Sequence, residues 1–370
     1  MKRAYKWIAF ALCFAAFLLL GTESVPLTDR AVVLGLGIDK GETGYVVSAQ
    51  IAMPAKEESK SAGYIVAMAE GSTVSGALDV LSREAGKLIS MSHCNVVILG
   101  SGVIQHEAVS VLDYVVRNAY LSENAILLAS TGQASEILSA KPAFSDMSSL
   151  YIQNMMMKFG YYPVRAHRNI KEFLVSYNTT RSANWIPIVS MTETEKPVSG
   201  EAGSESGEGN AEYLFDFTET AVFSGGNYVM KLPEECTRGI NYVESVLEEG
   251  ALTVTVGEAV YNFFIVRSKC KKSFSRDMTA RFDIKLELIL KEVITSGTPV
   301  PANISEPGER VDLAVAEEVT SAVRAAYETC MAEGVDIFNL YDGFYGVFGD
   351  DWDGDTARAN INIAVDLSYV

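Results

Sequence analysis

The side chains in this sequence that could carry chemistry are few: three histidines, five cysteines and one dense run of aspartates. His93 stands beside Cys94, the residue types of a thiolate–imidazole nucleophile pair. Adjacent residues seldom face each other in the geometry that such a pair needs, so a hydrogen-bonded structural histidine at a strand entrance is the expected role. His106 and His167 fit neither a His-x-x-x-His nor a His-Glu-x-x-His spacing, and a histidine metal site would have to be assembled from distant positions. Asp350-Asp351-Trp352-Asp353-Gly354-Asp355 opens like a calcium loop. Counted from Asp351, however, Thr356 replaces the glycine of the sharp turn and Asn362 replaces the bidentate glutamate. An acidic surface turn is expected there, and a metal-dependent hydrolase built on Asp351 and Asp353 ranks last among the readings. Gly35-x-Gly37 follows a strand, but the next glycine is Gly41 and no helix pattern follows to hold a phosphate. Two strand glycines in a hairpin fit better. Neither a Gly-x-Ser-x-Gly elbow nor a Walker loop occurs. No catalytic, cofactor-binding, metal or lipidation residue is assigned, no cofactor is expected, and the chain reads as a binding or assembly component rather than an enzyme.

The N-terminus says where the chain works. Lys2, Arg3 and Lys6 precede an apolar run from Trp7 to Leu20, and the sequence turns polar at Gly21 to Ser24. That order is a secretion signal, so residues 1–24 are expected to be a signal peptide or an uncleaved N-terminal anchor. No second apolar run reaches spanning length. A net charge of -17 opposes nucleic acid, and equally opposes docking on anionic lipid through a broad basic face. Beyond Cys13 of the signal, Cys94, Cys236, Cys270 and Cys330 are widely spaced. Disulfides are permitted in an exported chain and the pairing is open, but free, buried small hydrophobes suit this spacing better. Asn178 and Asn303 begin formal glycosylation sequons, which carry meaning only in a eukaryotic secretory route.

The elements that would position these residues are α+β. Ala31–Asp39 and Tyr45–Met53 read as a hairpin. A helix spans 73–89, capped by Ser72 or Thr73, and another spans 104–120. Asn95–Leu99 and Ala125–Ala129 are strand-like, which predicts a mixed sheet covered by helices. Helical segments follow at 147–159 and 170–177. Residues 195–212 form a flexible acidic Gly/Ser-rich linker, too poor in apolar residues to offset the cost of ordering it. It separates an N-terminal mixed α/β region, 25–194, from a C-terminal α+β domain, 213–370. In the latter, 213–223 reads as a strand, 233–247 as a helix, and 252–266 and 280–294 as long strands. An amphipathic helix at 309–331 and a strictly alternating strand at 360–369 complete it.

The order of these segments resembles one family, the Ger(x)C proteins, C subunits of the GerA-type nutrient receptors of endospore-forming bacteria. Leu27-Thr28-Asp29-Arg30-Ala31 leading to Gly37-Ile38-Asp39 is similar to the family's opening. Ser92-His93 running to Gly100, and Leu112 to Asn118 after it, resemble its Ser-His strand and next helix. Ala221-Val222-Phe223, Glu235-Cys236-Thr237-Arg238-Gly239 and Asp336-Ile337-Phe338 match later landmarks. The resemblance runs from about Leu27 to Val370.

It implies several mixed α/β domains, three in all. It also implies a place on the outer face of the spore inner membrane beside integral membrane A and B subunits, and a role in nutrient-triggered germination without catalysis. One departure stands out. The family's lipobox cysteine after the apolar run is missing, because Leu20-Gly21-Thr22-Glu23-Ser24 holds none. Attachment would then fall to protein contacts or to the uncleaved segment. The alternative is an exported ligand-binding protein not tied to a receptor.

Overall fold

The computed structural model describes Trp7 and residues 29–53, 63–117, 121–157, 168–179, 183–194, 211–244, 250–295 and 307–370. The expected signal at 1–24, apart from Trp7, most of the acidic linker, His167 and the sequon at Asn303 lie outside the described residues.

Two sheets organise the chain. The first opens with the expected hairpin, β1 (Arg30–Lys40) and β2 (Tyr45–Ala52), and β3 (Tyr64–Gly71) pairs antiparallel to β2. α1 (Val74–Ala85) begins where Thr73 accepts a hydrogen bond from the Gly76 amide. β4 (Leu88–Ser90) and β5 (Val96–Leu99) follow. The single helix expected at 104–120 is two, α2 (Ser101–His106) and α3 (Ala108–Arg117), broken at Glu107. The Glu107 carboxylate is held by Lys40 Nζ at 2.6 Å. Then come β6 (Ile126–Ser130), α4 (Ala134–Ser139), β7 (Lys141–Pro142), α5 (Ser148–Met157), α6 (Ile170–Thr179) and β8 (Asn184–Glu193).

Hydrogen bonding crosses the acidic segment. β9 (Glu212–Asp216) pairs with β8, and β10 (Thr220–Ser224) and β11 (Asn227–Leu232) extend the same sheet. The strand expected at 213–223 breaks at Asp216, whose carboxylate accepts from the amides of Phe217 and Thr218 and so offers the backbone a turn. The main path of the sheet is β11-β10-β8-β6-β5-β1-β2-β3. Its centre, β1, β5, β6 and β8, is parallel. Val96–Leu99 and Ile126–Ser130 are buried at every position, as strands covered on both faces must be. Val97, Leu99, Leu127 and Ala129 pack with α1, α3 and α6. Val96, Ile98, Ile126 and Leu128 pack with α4 and α5 on the other side.

The second sheet follows α7 (Glu234–Glu244). Its strands are β12 (Gly250–Val256), β13 (Ala259–Phe274), β14 (Thr279–Thr295) and β15 (Asn360–Tyr369), in that order across the sheet. The run expected as one strand at 252–266 turns at Gly257, whose φ of 66° suits glycine. α8 (Glu309–Ala332) and α9 (Leu340–Phe348) complete the unit. The stripe Val311, Val315, Val319, Val323, Ala326 and Cys330 is buried, as its helical spacing predicts. The two units share a core, since Trp185, Val222 and Leu232 of the first sheet lie in one cluster with Ile240 of α7, Phe282 of β14 and Phe338.

Candidate functional site

The residues that could have carried chemistry are kept apart. Cys94 is fully buried and its Sγ donates to the Val96 carbonyl at 3.4 Å. Burial pushes its thiol up to about 12. His93 beside it is exposed while the thiol is sealed in the core, so the two do not form a nucleophile pair. Cys94, Cys236 and Cys330 are buried and Cys270 is half-buried, and none of the four is in a disulfide. The Cys270 thiol is raised to about 11 by burial, and that of Cys330 to about 12. Thiolate chemistry is therefore disfavoured at these positions. The acidic turn is closed by the chain's own cation, because Arg358 bonds both Asp353 and Asp355. Among the described residues no group of three or more metal-ligating side chains converges.

What the motifs build is a pair of seams. In the first, Leu36 and Ile38 point into the core under α1 and α3, so Gly35, Gly37 and Asp39 line the opposite face of β1. A Cβ on Gly37 would stand 2.4 Å from Ser48 Oγ and 3.1 Å from the Ala134 Cβ, and one on Gly35 would stand 2.7 Å from the Ser149 Cβ. The glycines let α4 and α5 sit directly on the strand, which explains them without a phosphate ligand. Asp39 then reaches the exposed amides at the start of α4, accepting from Ala134 at 2.7 Å and Ser135 at 2.9 Å. Gln50, fully buried across the hairpin, ties both helices down. Its Nε2 donates to the Leu138 carbonyl and to Ser148 Oγ, each at 3.0 Å, and its Oε1 accepts from the Ser149 amide at 2.9 Å. Gln50, Ser148 and Ser149 were not singled out by the sequence. The alternation of Val47, Ala49 and Ile51 with Ser48 and Gln50 reads as a strand with one wet face, whereas 47–51 are buried on both faces.

The second seam joins the two sheets. The Asp336 carboxylate accepts from the amides of Leu340 at 2.9 Å and Tyr341 at 2.8 Å, holding the start of α9. Its backbone carbonyl accepts from the Ala183 amide at 2.7 Å, at the entry to β8. Burial raises the Asp336 pKa against these bonds. Beside it, Arg168 lies 4.1 Å from the centre of the Trp185 ring and donates to Asn184 Oδ1 at 2.6 Å. Nearby, α7 crosses α8 at Gly239, where a Cβ would stand 2.1 Å from the Ala322 carbonyl oxygen. Arg238 pairs with Glu318 at 3.1 Å across the same crossing.

A mixed sheet covered on both faces, joined through a shared core to a four-stranded sheet under two helices, defines a multi-domain α+β protein. The crystal structure of the GerBC protein has the same fold: the match covers 90% of this chain and 96% of that one, at a TM-score of 0.51 and 15% identity. Two sequence profiles match in order, one described as spore germination protein N-terminal domain over residues 23–191, the other as spore germination B3/GerAC like, C-terminal, over residues 218–369. The chain belongs to the Ger(x)C family of spore germination proteins. A relative named as a spore germination protein, YfkR of Bacillus subtilis (strain 168), is 24% identical over 182 residues, which is 47% of this chain and 46% of that protein. The matched region therefore spans about half the length of that relative. No helix among the described residues is long and apolar enough to cross a membrane.

Proposed function

We propose that this chain is a non-catalytic subunit of a spore germinant receptor. It is exported and works at the outer face of the spore inner membrane, beside integral membrane A and B subunits, in nutrient-triggered germination. The observation that carries this reading is the ordered match of both family profiles across both sheets. The motif residues Gly37, Asp39, Gly239 and Asp336 all serve helix seating and capping. Because no lipobox cysteine follows the apolar run, attachment rests on the partner subunits and on the N-terminal segment.

The test is germination of spores lacking the gene, with nutrients in one sample and a nutrient-independent trigger in the other. Failure with nutrients alone is the expected result. Normal germination with both triggers, in a strain without a second nutrient receptor, would remove the receptor role and leave the exported ligand-binding reading.

A further inference from the structure

The second sheet has one face that no helix covers among the described residues, and that face gathers positive charge on an acidic chain. Phe282, Ile284 and Leu286 of β14 are buried on the helix side. The alternation of the strand turns Arg281, Asp283, Lys285 and Glu287 the other way. Their partners across β13 turn outward with them, Lys269 opposite Lys285 and Arg267 opposite Glu287, with Lys271 two residues along. The Lys291 ammonium lies over the outward Phe264 ring, 5.2 Å from its centre. The six cations Arg267, Lys269, Lys271, Arg281, Lys285 and Lys291 outnumber the four anions of the same face, Asp283, Glu287, Glu292 and Asp366, while the whole chain carries -17.

The neutralisation is incomplete. Arg281 holds Asp283 at 2.7 Å, Lys285 reaches Asp366 at 3.3 Å, and Arg267 reaches Glu287 only at 3.8 Å. No ion pair engages Lys269 or Lys271 among the described residues. Lys269 directly opposite Lys285 is a like-charge pair that weakens a sheet, and an outside anion would relieve it. A shallow depression of about 640 Å³ runs between these side chains and β15.

We infer that this face docks on an anionic phospholipid surface. The lysines stand about 7 Å apart along an open strand, a spread array rather than an enclosed pocket for one small anion. Phe264 and Ile289 lie at one end beside Lys291, so an aromatic ring and an aliphatic side chain adjoin the cations. That is the composition of a surface seated at the headgroup level, cations to the phosphates and apolar side chains to the acyl boundary. The whole-chain charge argued against lipid docking, but screening over about 8 Å at physiological salt makes the attraction local. Acidic side chains beyond that range do not cancel it. The inference rests on the membrane placement proposed above and adds the surface that would face the bilayer.

The test is co-sedimentation of the full chain with vesicles of pure phosphatidylcholine or of phosphatidylcholine mixed with phosphatidylglycerol, which gives the vesicle a negative surface potential. The readout is the anionic-to-neutral affinity ratio, which removes any contribution of the N-terminal apolar run. The parent is expected to prefer anionic vesicles, and to lose that preference as salt is raised. Changing Lys269→Gln, Lys271→Gln and Lys285→Gln should lower the ratio about fivefold per lysine, the factor equivalent to ~1 kcal/mol per basic residue near such a surface. Lys269→Arg with Lys271→Arg should keep it, and so should Arg83→Gln with Lys87→Gln on and just after α1. Equal binding to both vesicles, or a ratio unchanged in the triple variant, overturns the inference. So does a parent dimer that the same three changes dissociate, since a second copy would then occupy the face. Failure here would leave the germination phenotype standing, and failure of the phenotype would leave vesicle binding standing.

Discussion

The two sheets solve the same burial problem in opposite ways. The first is sandwiched, with α1, α3 and α6 on one side and α4 and α5 on the other. Its central strands have no wet face, and Asp39 and Gln50 are sealed into hydrogen-bonded seams beneath α4 and α5. The second sheet is covered once, by α7 and α8, and its strands alternate between core and solvent. A side chain in the first sheet is therefore constrained by packing on either side. A side chain on the bare face of the second is held by no packing from a helix among the described residues, only by ion pairs and neighbours along the sheet surface. Substitutions should separate these cases by their effect on folding.

The largest effects should come where a backbone or a neighbouring strand forbids a Cβ. Gly239→Ala places one 2.1 Å from the Ala322 carbonyl, an atom that cannot swing away without parting α7 from α8. A loss of about 3 kcal/mol, the upper range for overpacking, is expected in the urea midpoint. Gly37→Ala meets the movable Ser48 hydroxyl and the Ala134 methyl, and should cost about 1–2 kcal/mol. Equal, negligible losses at both positions would mean that the helices are not seated as described.

Asp39→Ala should come next. It removes the acceptor of two amides at the start of α4 in a site that is 6% exposed. A cap deletion with buried donors left over costs about 2 kcal/mol. Hydrogen exchange should locate the loss in α4 and α5, leaving α8 protected. Asp336→Asn tests the other seam through pH. Burial raises the folded-state pKa of Asp336, so folding favours its protonated form. That contribution is fully present below the ordinary carboxylate value near 4 and is lost as pH rises through the raised value. The asparagine variant should gain stability relative to the parent across that window as pH increases. A difference that runs the opposite way would mean that the two amide bonds outweigh burial.

Much of this contrast was legible in the residues, and the exceptions have causes. The 309–332 helix and the 360–369 strand were readable because each has a single wet side, so the periodicity survives in the sequence. β3 escaped because Ala67, Met68 and Ala69 are weak strand formers, and its exposed Ile65 and Met68 blur the alternation. β8 escaped because Pro187 argues against an internal strand. It is tolerated because β6 reaches only Ile188 and Val189, leaving β10 as the one neighbour beside the proline. The glycine pair was readable as a strand feature, but its purpose was not, because the helices that need the space begin about a hundred residues later. The charge of -17 concealed the basic face for a similar reason. A sum over the chain carries no positions, and only the pairing of β13 with β14 brings Lys269 and Lys285 together.

The smallest expected effect is the sharpest test of the comparison. Lys269→Gln and Lys271→Gln, alone or together, should change stability by no more than about 0.5 kcal/mol, the range for surface positions away from caps and cores. A slight gain is expected for Lys269→Gln, since it removes the like charge facing Lys285. A loss comparable to that of Asp39→Ala would mean that the bare face is covered by another part of the chain, and the contrast between the two sheets would collapse. Neutral stability together with altered vesicle binding would be the opposite result. It would separate residues kept for folding from residues kept for contact, and it would place the two kinds on different sheets.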